Sequence, residues 1–119
     1  MTTKDIGDAG EEQARRFLIS QGFAILACNY RAPGGELDLI ARDGDALVFV
    51  EVKKRASNAF GGPLAAITKT KQERVALAAA HYIKEKKPKF DSIRFDAVCI
   101  LPGRVEHLKN AFTPRRMNI

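Results

Sequence analysis

The residues best suited to chemistry are four charged side chains placed in two apolar segments of the chain: Glu36, Asp38, Glu51 and Lys53. Carboxylate oxygens are the ligands that hard divalent ions such as Mg²⁺ and Mn²⁺ prefer. An amine beside such an ion can stabilise the charge that develops on a phosphate, or position the attacking water. The pattern therefore predicts metal-assisted hydrolysis of a phosphodiester, provided that the fold brings the two segments together.

Both segments are typical of strands in one hairpin, and turn-forming residues separate them: Glu36–Ala41, Arg42–Asp45 and Ala46–Lys53. If the loop consists of Asp43 and Gly44, Glu36 lies opposite Glu51. If it consists of Gly44 and Asp45, Asp38 lies opposite Glu51 instead. Both registers place all four charged residues on one face, because side chains alternate along a strand, whereas a three-residue loop would undo this. Directly opposed Cβ atoms lie about 4.5–5.5 Å apart, close enough for two carboxylates to converge on one ion.

Acids gathered near the end of an apolar strand repel one another and lose solvation, and a bound divalent cation would resolve both problems. The alternative interpretation is that Glu51 and Lys53 are ordinary strand-end charges, since Glu-x-Lys on its own is a common sequence. The upstream acids at hairpin spacing favour the metal site.

The predicted helices carry further candidates. Helical spacing places Glu11 at the edge of the buried stripe of the first helix, as a metal ligand or orienting group, or else as an acid favoured by the helix dipole. Lys69 and Lys71 stand near the start of the second helix, where cations oppose the dipole. We interpret Lys71 as a substrate-phosphate contact, against the alternative that it extends along the surface into solvent. Gln72 is an accessory candidate.

Helical and extended patterns alternate along the chain, which predicts a single α/β domain over residues 1–112. The segment that leads to Glu51 is apolar on both faces, as in a strand at the middle of a sheet covered by helices. The second helix should begin at a capping box, Thr70 to Glu73, and bury one stripe: Val75, Ala78, Ala79 and Tyr82. The other expected features are a first helix with the stripe Ala14, Phe17, Leu18 and Gln21 that ends at Gly22, strands Phe23–Tyr30, Ser92–Leu101 and Val105–Leu108, and turns Arg31–Gly35 and Pro102–Gly103. Residues 113–119 are expected to be a flexible basic tail.

Composition narrows the classes of protein. The 20 Lys and Arg against 14 Asp and Glu give a net charge of +6, which suits a polyanionic partner such as nucleic acid. Cys28 and Cys99 lie outside any disulfide or zinc-ligand spacing. The N-terminus lacks an apolar leader and no run approaches membrane-spanning length, so we expect a cytoplasmic protein without a membrane partner.

Motifs along nearly the whole chain resemble those of the YraN-like family of small bacterial proteins: Gly7-x-x-Gly10-Glu11-x-x-Ala14, Gly35-Glu36-Leu-Asp38-Leu-Ile40, Val48-Phe-Val-Glu51-Val-Lys53-x-Arg55, Lys71-Gln72, Arg94-Phe-Asp96 and Asn110-Ala-Phe112. That family is similar to the archaeal Holliday-junction resolvases and to the restriction-endonuclease-like PD-(D/E)xK superfamily. The motif of this superfamily is matched by Asp38, Glu51 and Lys53. Two features depart from it, since no proline directly precedes Asp38 and Glu36 is an extra acid.

The resemblance implies a restriction-endonuclease-like fold, a mixed central sheet flanked by helices. It implies a Mg²⁺ or Mn²⁺ ion held by Asp38, Glu51 and the backbone carbonyl of Val52, with Glu11 as a further ligand and Lys53 beside the attacking water. Candidate phosphate contacts are Arg31, Lys54, Arg55, Lys69 and Lys71. Branched DNA in repair or recombination is the substrate class that it suggests, and a homodimer is the assembly, because resolvase-like relatives work as dimers.

Two rival interpretations stay open. A non-enzymatic nucleic-acid-binding adaptor would keep the nuclease fold and the basic surface, although an intact Asp38, Glu51 and Lys53 set argues against a decayed site. A protein-interaction module would use the same charges only to solvate its surface.

Overall fold

The computed structural model describes residues 3–55 and 67–114, with side chains described from residue 9 onward. The elements in chain order are α1 (Thr3–Ser20), β1 (Ala24–Ala32), β2 (Gly35–Asp43), β3 (Ala46–Lys54), α2 (Lys69–Lys86), β4 (Ser92–Leu101) and β5 (Arg104–Leu108). These strands form one sheet in the order β1-β2-β3-β4-β5. Strands β3 and β4 run parallel, and the other neighbours run antiparallel. A mixed sheet flanked by helices is the α/β architecture expected of a restriction-endonuclease-like fold.

Strand β3 occupies the middle of the sheet and is buried on both faces. Leu47 and Phe49 pack in the cluster beneath α2, whereas Val48 and Val50 pack in the cluster beneath α1. The alternation of side chains along a strand divides the apolar run between the two layers. This confirms the predicted central strand covered by helices on both sides.

Helix α1 buries part of the stripe that the sequence predicted. Ala14 and Leu18 are fully buried, and Phe17 packs against the same cluster. The prediction is wrong for Gln21, which is exposed and lies beyond the last helical residue. Gly22 follows with a φ of 93°, a conformation that favours glycine and ends the helix.

Helix α2 begins earlier than the predicted capping box. Its N-cap is Thr68, whose extended backbone directs the side-chain oxygen to accept a hydrogen bond from the Lys71 N–H at 3.1 Å. The prediction is wrong for Thr70, which already lies inside the helix. The predicted stripe of Val75, Ala78, Ala79 and Tyr82 is confirmed as buried.

The strands are longer than predicted because the connections are tighter. The turn predicted over Arg31–Gly35 is reduced to Pro33 and Gly34, so β1 and β2 extend into it. Residues 115–119 of the predicted basic tail lie outside the described residues. Neither helix in the described part of the chain is long and apolar enough to cross a membrane.

Candidate functional site

The hairpin of β2 and β3 adopts the second of the two predicted registers. Asp43 pairs with Ala46, which leaves Gly44 and Asp45 as the loop. The paired residues then run up the hairpin as far as Leu39 opposite Val50. The next residues along the two strands are Asp38 and Glu51, so the hairpin brings these two acids to the same level of the sheet.

Asp38 lies where the regular pairing of β2 with β3 stops. Its Oδ2 accepts a hydrogen bond from the Val52 N–H at 2.7 Å. A side chain therefore satisfies a strand N–H on the side where β2 backbone would otherwise do so. This contact fixes the half-buried Asp38 carboxylate beside the C-terminal end of β3.

Glu51 is buried with little to compensate it. Only 1% of the residue is exposed, and neither carboxylate oxygen accepts a hydrogen bond from any described residue. The Lys71 Nζ atom lies 3.5 Å from its Oε2 atom. Burial first, and the negative charge of Asp38 second, raise the pKa of Glu51 to about 8, while Lys71 and Lys53 oppose this rise.

The arrangement suits a divalent ion of the Mg²⁺ type. No group of three His, Cys, Asp or Glu side chains in the described ranges is placed to hold a metal ion. Mg²⁺ sites commonly use only one or two carboxylates and complete their coordination with water and substrate phosphate. Asp38 and Glu51 provide such a pair, and the buried oxygens of Glu51 are chemically suited to be ligands.

Glu36 does not share the face on which the sequence placed it. Leu37 packs in the cluster beneath α2, and a Cβ on Gly35 would lie 2.2 Å from the Arg74 carbonyl oxygen of that helix. Because neighbouring side chains alternate, Glu36 lies on the α1 side. The alternation is interrupted at Asp38, since Leu39 also packs on the α1 side.

The interruption coincides with an irregular residue on the adjacent strand. Asn29 has a φ of 51°, and no pairing with Asp38 is present between the pairs Cys28 with Leu39 and Tyr30 with Leu37. The register of the two strands is the same on both sides of this gap, so the irregularity is confined to Asn29 and Asp38. The one-face prediction is therefore wrong for Glu36.

Helix α1 brings Glu11 near the end of β3. A Cβ on the neighbouring Gly10 would lie 3.9 Å from the Lys54 side chain, so this turn of α1 lies against the last residue of the strand. Glu11 is half-buried there. Glu12 instead pairs with Arg15 and Arg16 at 2.7 and 3.0 Å.

The predicted nucleic-acid-binding residues divide by exposure. Arg31, Lys54, Arg55 and Lys69 are exposed and accessible to a large ligand. Lys71 is half-buried against Glu51. The predicted accessory residue Gln72 donates from Nε2 to the Ile67 carbonyl at 3.2 Å, which ties α2 to the segment before it.

The sequence analysis gave no role to a second buried acid, Asp96 in β4. Its carboxylate accepts two hydrogen bonds from Arg94, at 2.8 and 2.9 Å, and one from the Asn110 N–H at 2.9 Å. The His107 Nε2 atom lies 2.8 Å from Asp96 Oδ2. Asp96 is fully satisfied, in contrast to Glu51, and this network is structural. The sequence motifs Arg94-Phe-Asp96 and Asn110-Ala-Phe112 contain three of the residues of this network and could have indicated it.

Comparison with known proteins shows that this chain has many relatives. The profile of a family described as "Uncharacterised protein family UPF0102" matches residues 10–100. A UPF0102 protein of Dictyoglomus thermophilum is 47% identical over 118 residues, covering 94% of this chain and all of the relative. One of Thermodesulfovibrio yellowstonii is 39% identical over 112 residues, covering 94% and 99%. The UPF0102 protein YraN of Escherichia coli is 42% identical over 114 residues, covering 94% and 87%.

Proposed function

We propose that this chain, which belongs to the uncharacterised protein family UPF0102, is a metal-dependent nuclease that hydrolyses nucleic-acid phosphodiesters. The observation that carries the proposal is the environment of Glu51, which is 1% exposed and lacks hydrogen bonds from the described residues. Burying a carboxylate without hydrogen bonds is costly, even with the Lys71 amine 3.5 Å away. A second acid, Asp38, makes the site still less favourable for negative charge. A divalent cation would compensate both acids.

Asp38 and Glu51 would hold this Mg²⁺ or Mn²⁺ ion together with the backbone carbonyl of Val52. The N–H and C=O of one strand residue point toward the same neighbour, so this carbonyl opens on the side where the Val52 N–H meets Asp38. Glu11 would have to move to join Asp38 and Glu51, because no third acid of the described residues is grouped with this pair. When bound, the ion supplies positive charge to the phosphate and lowers the pKa of an attacking water.

Lys53 is the catalytic amine of the proposal. It follows Glu51 by two residues, so both side chains leave the same face of β3. Its ammonium group also acts on the charge of Glu51. From this position Lys53 would orient the attacking water and stabilise the charge that develops on the phosphate. The hydrogen bond from Val52 keeps Asp38 oriented during the reaction.

The substrate class follows from charge and from the resemblance stated above. The net charge of +6 and the exposed cations Arg31, Lys54, Arg55 and Lys69 favour binding to a phosphate backbone. Such contacts set affinity rather than sequence preference. Similarity to Holliday-junction resolvases favours branched DNA, cut by a homodimer in the cytoplasm during repair or recombination.

One observation favours a second candidate, a nucleic-acid-binding adaptor without catalysis. The Lys71 Nζ atom lies 3.5 Å from Glu51 Oε2, so the chain itself supplies a partner for this buried acid when no metal is bound. This pair of Glu51 with Lys71 would be a purely structural use of the site. The adaptor would retain salt-dependent binding to nucleic acid and would cleave nothing.

The experiment that separates these functions is a cleavage panel. Four-way junction, flap, duplex and single-stranded DNA and RNA are incubated with wild type and Lys53→Ala in Mg²⁺ or Mn²⁺. We expect cleavage by wild type and a loss of at least about 100-fold in Lys53→Ala. The control Lys84→Ala, at an exposed lysine of the last turn of α2, should cleave like wild type. Salt-dependent binding without cleavage by wild type in either metal would instead establish the adaptor.

Metal binding is measured separately by calorimetry on the protein alone. Wild type should bind Mg²⁺ or Mn²⁺, and Asp38→Asn and Glu51→Gln should each weaken this binding by at least about tenfold. Glu85→Gln, which changes an exposed acid on α2, is the matched control. Equal affinities in all four proteins would refute the proposed metal site.

A further inference from the structure

Lys71 occupies a position in α2 where a cation is unfavourable by local rules. Its backbone N–H donates the capping hydrogen bond to the Thr68 side chain, so Lys71 belongs to the first turn, where the helix dipole favours acids. A glutamate or glutamine commonly occupies this position because it completes a capping box. Helix α2 has no acid in its first turn. Something outside the helix must therefore compensate the charge of Lys71.

The compensating group is Glu51 on the central strand. The Lys71 Nζ atom lies 3.5 Å from Glu51 Oε2, and only 25% of the lysine side chain is exposed. Lys69, on the same turn of the helix, is exposed instead. The Lys71 amine thus spans from helix to strand, whereas its neighbour extends into solvent.

Two amines stand near the two acids of the site without metal. Asp38 and Glu51 bring two acids together, and Lys53 and Lys71 both act on Glu51 with positive charge. A divalent ion held by the two carboxylates would stand close to the Lys71 ammonium. Repulsion between two cations is strong in a buried site and would favour displacement of the flexible lysine side chain.

We propose that Lys71 is the counter-ion of Glu51 in the metal-free protein and that metal binding releases its amine to contact a nucleic-acid phosphate. The inference rests on the proposed function, because it assigns to Lys71 a part in that same site. The flexible four-carbon stem of lysine permits the movement, and its ammonium group is a compact point charge suited to phosphate. By linkage, metal and nucleic acid then strengthen each other's binding.

Amine footprinting of the full-length protein tests the release directly. Wild type is acetylated briefly with limiting acetic anhydride, with and without Mg²⁺, and the modification of each lysine is quantified by mass spectrometry. We expect Mg²⁺ to raise the acetylation rate of Lys71 several-fold and to leave that of Lys69 unchanged. In Glu51→Gln, Lys71 should react rapidly already without metal and show no response to Mg²⁺.

Calorimetry on the same samples distinguishes a failure of the Lys71 release from a failure of the metal site. If wild type binds Mg²⁺ while the Lys71 rate stays constant, the release is refuted and the metal site remains. If neither Mg²⁺ nor Mn²⁺ binds, the proposed function fails together with this inference. A change in the rate of Lys69 equal to that of Lys71 would indicate a general effect of salt and would also overturn the inference.

The coupling has its own test in a cleavage-deficient background. Junction-DNA affinity is measured at constant ionic strength, with and without Mg²⁺, for Lys53→Ala alone and combined with Lys71→Met or Lys69→Met. Mg²⁺ should tighten binding several-fold for Lys53→Ala and for the Lys69→Met combination, and by less than about twofold for the Lys71→Met combination. Equal coupling in all three proteins would show that Lys71 does not carry it.

Discussion

The Asp38 carboxylate accepts the Val52 N–H at 2.7 Å, just beyond the last pair of the β2–β3 ladder at Leu39 and Val50. The Asp38 side chain thus accepts a hydrogen bond from β3 where the backbone pairing of β2 with β3 has ended. Glu51 and Lys53 follow directly on β3 beyond that last pair. The loss of regular pairing and the candidate site therefore have one structural origin.

This hydrogen bond predicts different stabilities for two substitutions of Asp38. Asp38→Ala removes the acceptor and should lower the free energy of unfolding by about 1 kcal/mol, because the Val52 N–H loses its partner. Asp38→Asn keeps a carbonyl oxygen as acceptor and should stay close to wild type. Urea unfolding at pH 7 with chelator measures both. Equal destabilisation by the two variants would show that charge, and not the hydrogen bond, is what matters.

The raised pKa of Glu51 predicts how stability depends on pH. Burial and Asp38 raise this pKa from 4.5 to about 8, so the native state keeps a proton that the unfolded state releases between these values. The contribution to stability is fully present below pH 4.5 and is lost as pH rises through about 8. The metal-free protein should lose up to about 1.4 kcal/mol per pH unit in this window.

Urea unfolding from pH 5 to pH 8 in chelator checks this slope. Glu51→Gln cannot titrate and should flatten it, whereas the exposed control Glu85→Gln should retain it. A slope in Glu51→Gln as steep as that of wild type would assign the effect to another group.

The register of the β2–β3 hairpin could be predicted only in part from the sequence. Alternation and loop composition reduced the register to two choices, and the structure selects the loop of Gly44 and Asp45. Gly44 has a φ of 60°, and a glycine at the first of two loop residues is the requirement of a type II′ turn. Turn chemistry alone did not choose the register, because Asp-Gly suits a type I′ turn and Gly-Asp suits a type II′ turn.

The face of Glu36 could not be predicted in the same way. Strict alternation fails at Asp38, which makes no pair with the left-handed Asn29 of the adjacent strand, and no local pattern indicated this. The cap of α2 posed a similar problem, since Thr68 and Thr70 are both suitable residues and only the backbone conformation distinguishes them. The face of Glu36 and the N-cap of α2 depend on tertiary structure, so local sequence patterns could not predict them.

A side chain at Gly35 should cause a steric clash at the start of β2. A Cβ there would lie 2.2 Å from the Arg74 carbonyl oxygen, so Gly35→Ala must push the strand away from α2. We expect a loss of about 1–3 kcal/mol in the free energy of unfolding, as for an overpacked core. Gly10→Ala is the matched control, because its Cβ would meet Lys54 at an ordinary 3.9 Å and alanine favours a helix. Two variants of equal stability in urea would contradict the close approach.

Among the charged residues, we expect substitution of Asp96 to lower the free energy of unfolding most. Burial acts to raise the pKa of Asp96, but hydrogen bonds from His107, Arg94 and the Asn110 N–H together hold it below its usual value. Its contribution is therefore present at neutral pH and is lost as pH falls through that lowered pKa. Asp96→Ala would leave Arg94 and the largely buried His107 without their acceptor. We expect a loss of about 3–5 kcal/mol in the free energy of unfolding at pH 7.

Asp43→Ala provides the comparison, because Asp43 also contacts Arg94, at 3.0 Å, but its side chain is 31% exposed. Removal of this partly exposed pair should cost less than about 1 kcal/mol. If Asp96→Ala does not fold, Asp96→Asn, which keeps one acceptor oxygen in the same volume, allows the same urea measurement. A loss for Asp96→Asn no greater than that for Asp43→Ala would show that β4 and β5 are held together by their apolar contacts and ladder alone, and not by the buried carboxylate.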